Sequence, residues 1–432
     1  MSVVPGGLDT ERGPPMAVPL AHFLVGLGWL LFGAAVGVAD ALGAGGLLGP
    51  AQRHLLLVGW VCITIMGAMT QFVPVWSGRS LHSRRLARVQ LWLVTGGVGV
   101  LAVGFLRGRL GLLPVGGTLL VAGFWTFAWN IARTLPPWRD LDVTERHFVL
   151  ALGYLVAVTA AGWALAAATA GVVSLPVSRS GLVGAHVTLA VFGVVLTTVI
   201  GALYQLAPMF TGTEHHGVDV WLRRIEESGY LLGVLALAGG RLVGSAPLAR
   251  AGAALLLVGL AAFLAVFARR LRAATVERTP MVTRYAVALV ALVAWAAVTA
   301  PAWLATPLAR DRLFGGSAAL LVVGGIGFVV LGTLYHVVPF IVWERRYGDR
   351  LGLEPVPGVD ELYDTRLART DAAVLVVATV LLVADEVAAP TRGTLAGWSL
   401  ALVGFGLAAA NLSSVVRDHG PGSVLGTLVG GE

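Results

Sequence analysis

One eight-residue phrase occurs three times in this chain: Gly67-Ala68-Met69-Thr70-Gln71-Phe72-Val73-Pro74, Gly201-Ala202-Leu203-Tyr204-Gln205-Leu206-Ala207-Pro208 and Gly332-Thr333-Leu334-Tyr335-His336-Val337-Val338-Pro339. Each copy closes an apolar stretch longer than twenty residues, so the repeated unit has membrane-spanning length. Three positions before its proline each carries a polar residue, Gln71, Gln205 or His336. Position as well as residue type is repeated.

The repeat continues upstream. Ala21-His22-Phe23-Leu24, followed by Gly28-Trp29 and Gly37, matches Arg146-His147-Phe148-Val149, followed by Gly153-Tyr154 and Gly162, at a constant offset of 125 residues. The third copy reads Arg284-Tyr285-Ala286-Val287 and sets Tyr285 against the two histidines. Downstream, Arg85-Leu86-Ala87-Arg88 is echoed by Arg366-Leu367-Ala368-Arg369 and more faintly by Arg223-Arg224-Ile225. The unit is about 130 residues long.

A chain that is 57% hydrophobic and 12% charged, with a mean hydropathy of +0.84, cannot stay in water. Twelve stretches are long and apolar enough to span a bilayer: 19–41, 53–76, 86–106, 112–132, 147–170, 180–208, 226–243, 247–268, 283–304, 314–343, 370–388 and 394–416. The expected fold is an all-α membrane protein, one polytopic domain over residues 1–432, with twelve helices in three pseudo-threefold repeats of four. Repeat 1 covers about 19–132, repeat 2 about 147–268 and repeat 3 about 283–416. Four is even, so every copy enters the membrane from the same side, and the copies are expected around an axis along the membrane normal.

An isoelectric point near 10.3 would suit a nucleic-acid binder, but the placement of charge argues against one. All 30 basic residues are Arg, and with the N-terminus inside, 21 of them fall on the inner side and nine on the outer. That bias predicts a cell-membrane (inner-membrane) protein with both termini cytoplasmic and the lipid bilayer as its main partner. The first stretch is too long for a cleaved signal peptide and is expected to be retained. The lone Cys62 excludes an internal disulfide and a thiolate cluster.

In that orientation the polar residues at membrane depth fall into two layers. His54 and His186 open the second and sixth stretches on the outer side. At about 1.5 Å per residue, Gln71 lies about 25 Å below His54. His22, His147 and His336 therefore share the inner side with Gln71, Gln205, Tyr204 and Tyr335. Polar groups at such depth are costly, so each is a functional candidate. Neutral imidazole at His54 and His186 suits ligation of heme iron or copper, and also suits an interfacial hydrogen bond to a headgroup, loop carbonyl or water. The inner layer reads either as a site or as hydrogen-bonding glue between helices, and for Gln71 and Gln205 glue is the expectation. The three prolines are expected to end or kink their helices. His215-His216, beside Glu214 and Asp219, reads as a solvated loop that could also hold a divalent cation.

There is no phosphate-binding loop, impossible without Lys, no Gly-x-Ser-x-Gly elbow and no His-Glu-x-x-His pair. Acidic residues at depth look scarce, with Asp40, Asp385 and Glu386 at segment ends, which lowers the case for a proton-coupled transporter.

Twelve helices in three parallel sets of four, with His near the outer start of the second and sixth, resemble catalytic subunit I of the heme-copper oxidases and nitric oxide reductases. Arg53-His54-Leu55-Leu56-Leu57-Val58-Gly59-Trp60 through Pro74-Val75-Trp76-Ser77-Gly78 is also similar to the heme- and copper-containing NnrS family. The resemblance implies that His54 is a heme ligand and His186 a metal ligand, with heme, and copper as a further cofactor. It further implies respiratory-chain subunits or a small electron carrier as partners. Ser317-Ala318-Ala319-Leu320 lacks the two histidines expected on the tenth helix, the seventh stretch lacks its His pair, and the sixth reads His186-Val187-Thr188-Leu189 where the family has His-Pro-Glu-Val-Tyr. The expectation is a divergent relative linked to respiratory electron transfer or nitric oxide metabolism, without a complete binuclear centre and with no catalytic residue identified. The alternative is a transporter or structural partner that kept the fold and lost the cofactor.

Overall fold

The computed structural model describes residues 15–212, 217–274, 279–387, 393–420 and 424–429, and His215 and His216 lie outside them. No strand occurs among the described residues. The long helices are α1 (Ala17–Ala41), α2 (Leu48–Ser77), α3 (Arg84–Leu106), α4 (Leu113–Thr134), α5 (Val143–Thr169), α6 (Arg179–Thr188 continuing through Thr197–Thr211), α7 (Gly217–Val243), α8 (Ala246–Arg272), α9 (Pro280–Ala305), α10 (Leu320–Gly327 continuing through Phe328–Tyr347), α11 (Thr365–Val387) and α12 (Gly393–His419); a short α13 (Val424–Val429) follows. Eleven are long and apolar enough to cross a membrane. The remaining long helix is α7, which carries Asp219, Arg223, Arg224, Glu226, Glu227 and Arg241.

Local chemistry sets the ends. Ser83, Ser178, Ser245 and Thr279 each accept a backbone N–H in the first turn of α3, α6, α8 and α9, and Asp142 with Glu145 forms a reciprocal cap on α5. The prolines do not end their helices. α2 runs three residues past Pro74 and α6 three past Pro208, each stopping at a glycine, Gly78 or Gly212, with φ of 62° and 64° that only glycine adopts freely. α10 continues to Tyr347, eight residues beyond Pro339.

The three helices that carry the repeated phrase share a rarer feature. Each contains an eight-residue π-helical stretch, Leu55–Cys62, Leu189–Leu196 and Leu320–Gly327, ending five residues before the phrase begins. Stretches of this kind are rare and tend to occur at functional sites. Below them the three helices meet around an apolar cavity of about 70 Å³. Thr64, Ile65, Ala68, Met69 and Phe72 line it from α2, and so do the residues 134 further on in α6 and 265 further on in α10. These positions form one helical face.

The hydropathy reading starts the seventh stretch at 226, but α7 starts at 217, because buried partners on α8 and α5 let its charged first turns remain helical inside the protein. α7 and α8 pack antiparallel along their whole length. A Cβ added at Gly233 would lie 2.2 Å from the Leu256 nitrogen, one at Gly252 2.2 Å from the Leu237 nitrogen, and one at Gly240 2.3 Å from the Ala249 nitrogen. Glycine on both helices brings the two backbones together, as at close helix crossings in membranes. Outward-facing Trp92, Trp125, Trp129, Val258, Val290 and Val293 leave an apolar perimeter suited to lipid.

Candidate functional site

His54 of α2 and His186 of α6 come together, with ring centroids 6.5 Å apart and planes 25° from parallel. His54 Nδ1 donates to the Pro50 carbonyl at 2.8 Å, and His186 Nδ1 to the Val158 carbonyl of α5 at 3.1 Å. A carbonyl only accepts, so both rings hold their proton on Nδ1 and keep a lone pair on Nε2. Among the described residues neither Nε2 has a hydrogen-bond partner. Gly162 makes the approach of His186 to α5 possible, since a Cβ there would lie 2.9 Å from the ring. Phe105 of α3 packs on His54 at 5.3 Å. Under the 134-residue offset, His54 corresponds to Thr188 and His186 to Gln52. The pair is thus assembled from two different positions of the repeat, a juxtaposition that the repeat alone does not reveal.

The second set of polar residues forms connected triads in two of the three phrase-bearing helix groups. In the second, His147 places Nδ1 2.7 Å from the Val143 carbonyl and Nε2 3.0 Å from Glu226 Oε1, while the Tyr204 hydroxyl donates to Glu226 Oε2 at 3.1 Å. In the third, Arg284 pairs with Asp371, and the Tyr335 hydroxyl donates to the second oxygen of Asp371. The Arg284 guanidinium also lies 4.2 Å over the Tyr335 ring, and Asn411 donates to the Tyr335 hydroxyl at 3.3 Å. Arg284 and Asp371 are 1% and 0% exposed.

These contacts correct three readings. The counterpart of His22 and His147 is Arg284, not Tyr285: Cβ atoms added at Gly67, Gly201 and Gly332 would meet the Cβ atoms of His22, His147 and Arg284 at 2.6, 2.5 and 3.1 Å. Tyr285 instead bonds Thr333 at 2.9 Å. Acidic groups at depth are not scarce, because Glu226 and Asp371 are buried more than one turn inside α7 and α11. The sequence held the signal: the offset that aligns Arg85-Leu86-Ala87-Arg88 with Arg366-Leu367-Ala368-Arg369 also aligns Gln90 with Asp371. Finally, the tyrosines and charged residues join the helices, not the glutamines. Gln71 Oε1 is buried without a partner, and Gln205 makes no side-chain hydrogen bond among the described residues. His336 stacks on Phe340 at 5.8 Å.

The first copy differs. Its triad positions hold His22, Thr70 and Gln90, and His22 Nε2, Thr70 Oγ1 and both Gln90 side-chain atoms are buried without protein partners. The same offset also pairs Asn130 with Asn411. Asn130 bonds both backbone groups of Ser83 at 2.9 and 3.0 Å, and Asn411 those of Asp364 at 2.9 and 2.8 Å. In the second copy Asp219 sits at the position of Ser83 and pairs with Arg270 at 3.2 Å.

No family model and no curated protein sequence matches this chain. Among the described residues there is no group of three or more His, Cys, Asp and Glu able to hold a metal.

Proposed function

We propose that this chain is a divergent membrane protein built like heme-copper oxidase subunit I, which holds one copper or heme iron between His54 and His186. It would serve respiratory electron transfer or nitric oxide metabolism without a complete binuclear centre. The observation that carries the reading is the convergence of two imidazoles at 6.5 Å, each turned by a backbone carbonyl so that Nε2 is available. Such carbonyl bonds orient metal-binding histidines and fix their tautomer. His54 and His186 would hold the ion through Nε2, the nitrogen that each ring leaves unprotonated. A bare ion fits more readily than a macrocycle, because Phe105 and Gly162 already pack against the two rings. Bound metal would supply one-electron chemistry or an open position for a gas, and the protein would orient the rings and exclude water.

The arrangement of three four-helix sets is supported by the shared π-helical stretches and by the cavity lined by matching positions of α2, α6 and α10. The full-length packing of α7 on α8 supports α7 as the twelfth span. Reporter fusions at Glu432 and at the Gly244-Ser245 turn should then lie on opposite sides of the cell membrane, with Glu432 cytoplasmic. The same side for both would remove the twelve-span topology.

Protein purified from membranes should contain about one copper or iron per chain, and His54→Ala should lower that content tenfold or more. His186→Ala should change the visible or paramagnetic spectrum of the remaining metal. Wild-type protein free of both metals after growth in supplemented medium would overturn the redox reading and leave the transporter or scaffold reading.

A further inference from the structure

We infer that the cavity where α2, α6 and α10 meet is a binding site for a small apolar molecule, a dissolved gas of two or three atoms, independent of any metal at the outer histidines. Its volume, about 70 Å³, is several times the roughly 10–15 Å³ that admits one water and about half the roughly 150 Å³ of an apolar cavity that takes up benzene or xenon. Macrocycles and drug-sized ligands are excluded, since those occupy pockets of about 300 Å³ or more.

Its lining decides the polarity of the occupant. Ala68, Met69, Ala202, Leu203 and Leu334 present only hydrocarbon or thioether. The hydroxyls nearby are engaged: Thr198 donates to the Val194 carbonyl at 2.8 Å and Thr333 to the Val329 carbonyl at 2.8 Å. Thr64 alone offers a hydroxyl without a partner. A buried water needs two to four hydrogen bonds, and the surface of this cavity is almost wholly apolar, so water is poorly held there, whereas dry apolar cavities take up xenon and similar solutes.

Small side chains keep the cavity open. Position 68 is Ala in α2 and its counterpart is Ala202 in α6, while Thr333 takes the place in α10. Two of the three helices thus present a methyl group where a larger apolar residue would close the space. Small apolar gases concentrate in bilayer hydrocarbon, and the outer face of the bundle is apolar, so the bilayer supplies them at the protein surface.

Xenon is the probe. Crystals of the full-length protein under xenon pressure should show one anomalous peak between Ala68, Ala202 and Leu334. Ala202→Leu should abolish that peak while the protein keeps its helical content and melting temperature. If Ala202→Leu does not fold, Ala68→Leu provides the same comparison from the neighbouring helix. Absence of xenon from the wild-type cavity would overturn the inference, as would undiminished xenon in a folded Leu variant. Continuous acyl-chain density filling the cavity would overturn it too, because the occupant would then be lipid.

Discussion

Exchanging Asp371 for Leu is expected to lower stability by roughly 3 to 5 kcal/mol, the effect of removing one partner from a buried ion pair. Arg284 is 1% exposed and Asp371 completely buried, so the guanidinium left behind has no water to turn to. The change also removes the acceptor of the Tyr335 hydroxyl, leaving that group with Asn411 alone. Thermal unfolding in detergent provides the measurement, and the double variant Arg284→Met with Asp371→Leu separates causes. Removing both charges should recover most of the loss, because a well-packed apolar pair replaces a buried ion pair at little cost. A single variant within about 1 kcal/mol of wild type would mean that Arg284 is solvated by another route.

Gly252→Leu should be similarly damaging, at about 3 kcal/mol or more, because overpacking here acts on backbone and not on a movable side chain. A Cβ at this position would already lie 2.2 Å from the Leu237 nitrogen, so α7 and α8 must separate along their full contact. Gly239→Leu is the control. Nothing lies within 4 Å of a Cβ at Gly239, and that variant should stay within about 0.5 kcal/mol of wild type. Equal effects from the two variants would show that helix propensity, not the close approach of α7 to α8, governs the hairpin.

Much of this organisation was legible before folding. The repeated phrase located α2, α6 and α10, and the 125-residue offset located α1 and α5. The histidines at 54 and 186 were set on one side and the inner polar groups on the other by counting residues along helices of known rise. Charged helix starts were less legible. Hydropathy stops at Arg223, Arg224 and Glu226, whereas the helix continues through them because Glu226 finds His147 and Tyr204, and Asp219 finds Arg270. The third-copy partner is one residue out of register with what side-chain type suggests, since Tyr285 resembles His in size and polarity while Arg284 takes the same place against Gly332.

The sequence by itself determined the membrane-spanning character of the helices, the threefold recurrence of one phrase and the presence of two sets of polar residues. Those properties follow from composition and spacing, which act along the chain. Tertiary structure alone decided which groups meet: His54 with His186, Glu226 with His147, Asp371 with Arg284. Each meeting joins helices separated by dozens of residues, and it depends on where glycines such as Gly67, Gly162 and Gly201 allow two helices to touch. Spacing reports which face a residue occupies, but a partner is chosen by the helix that packs against that face.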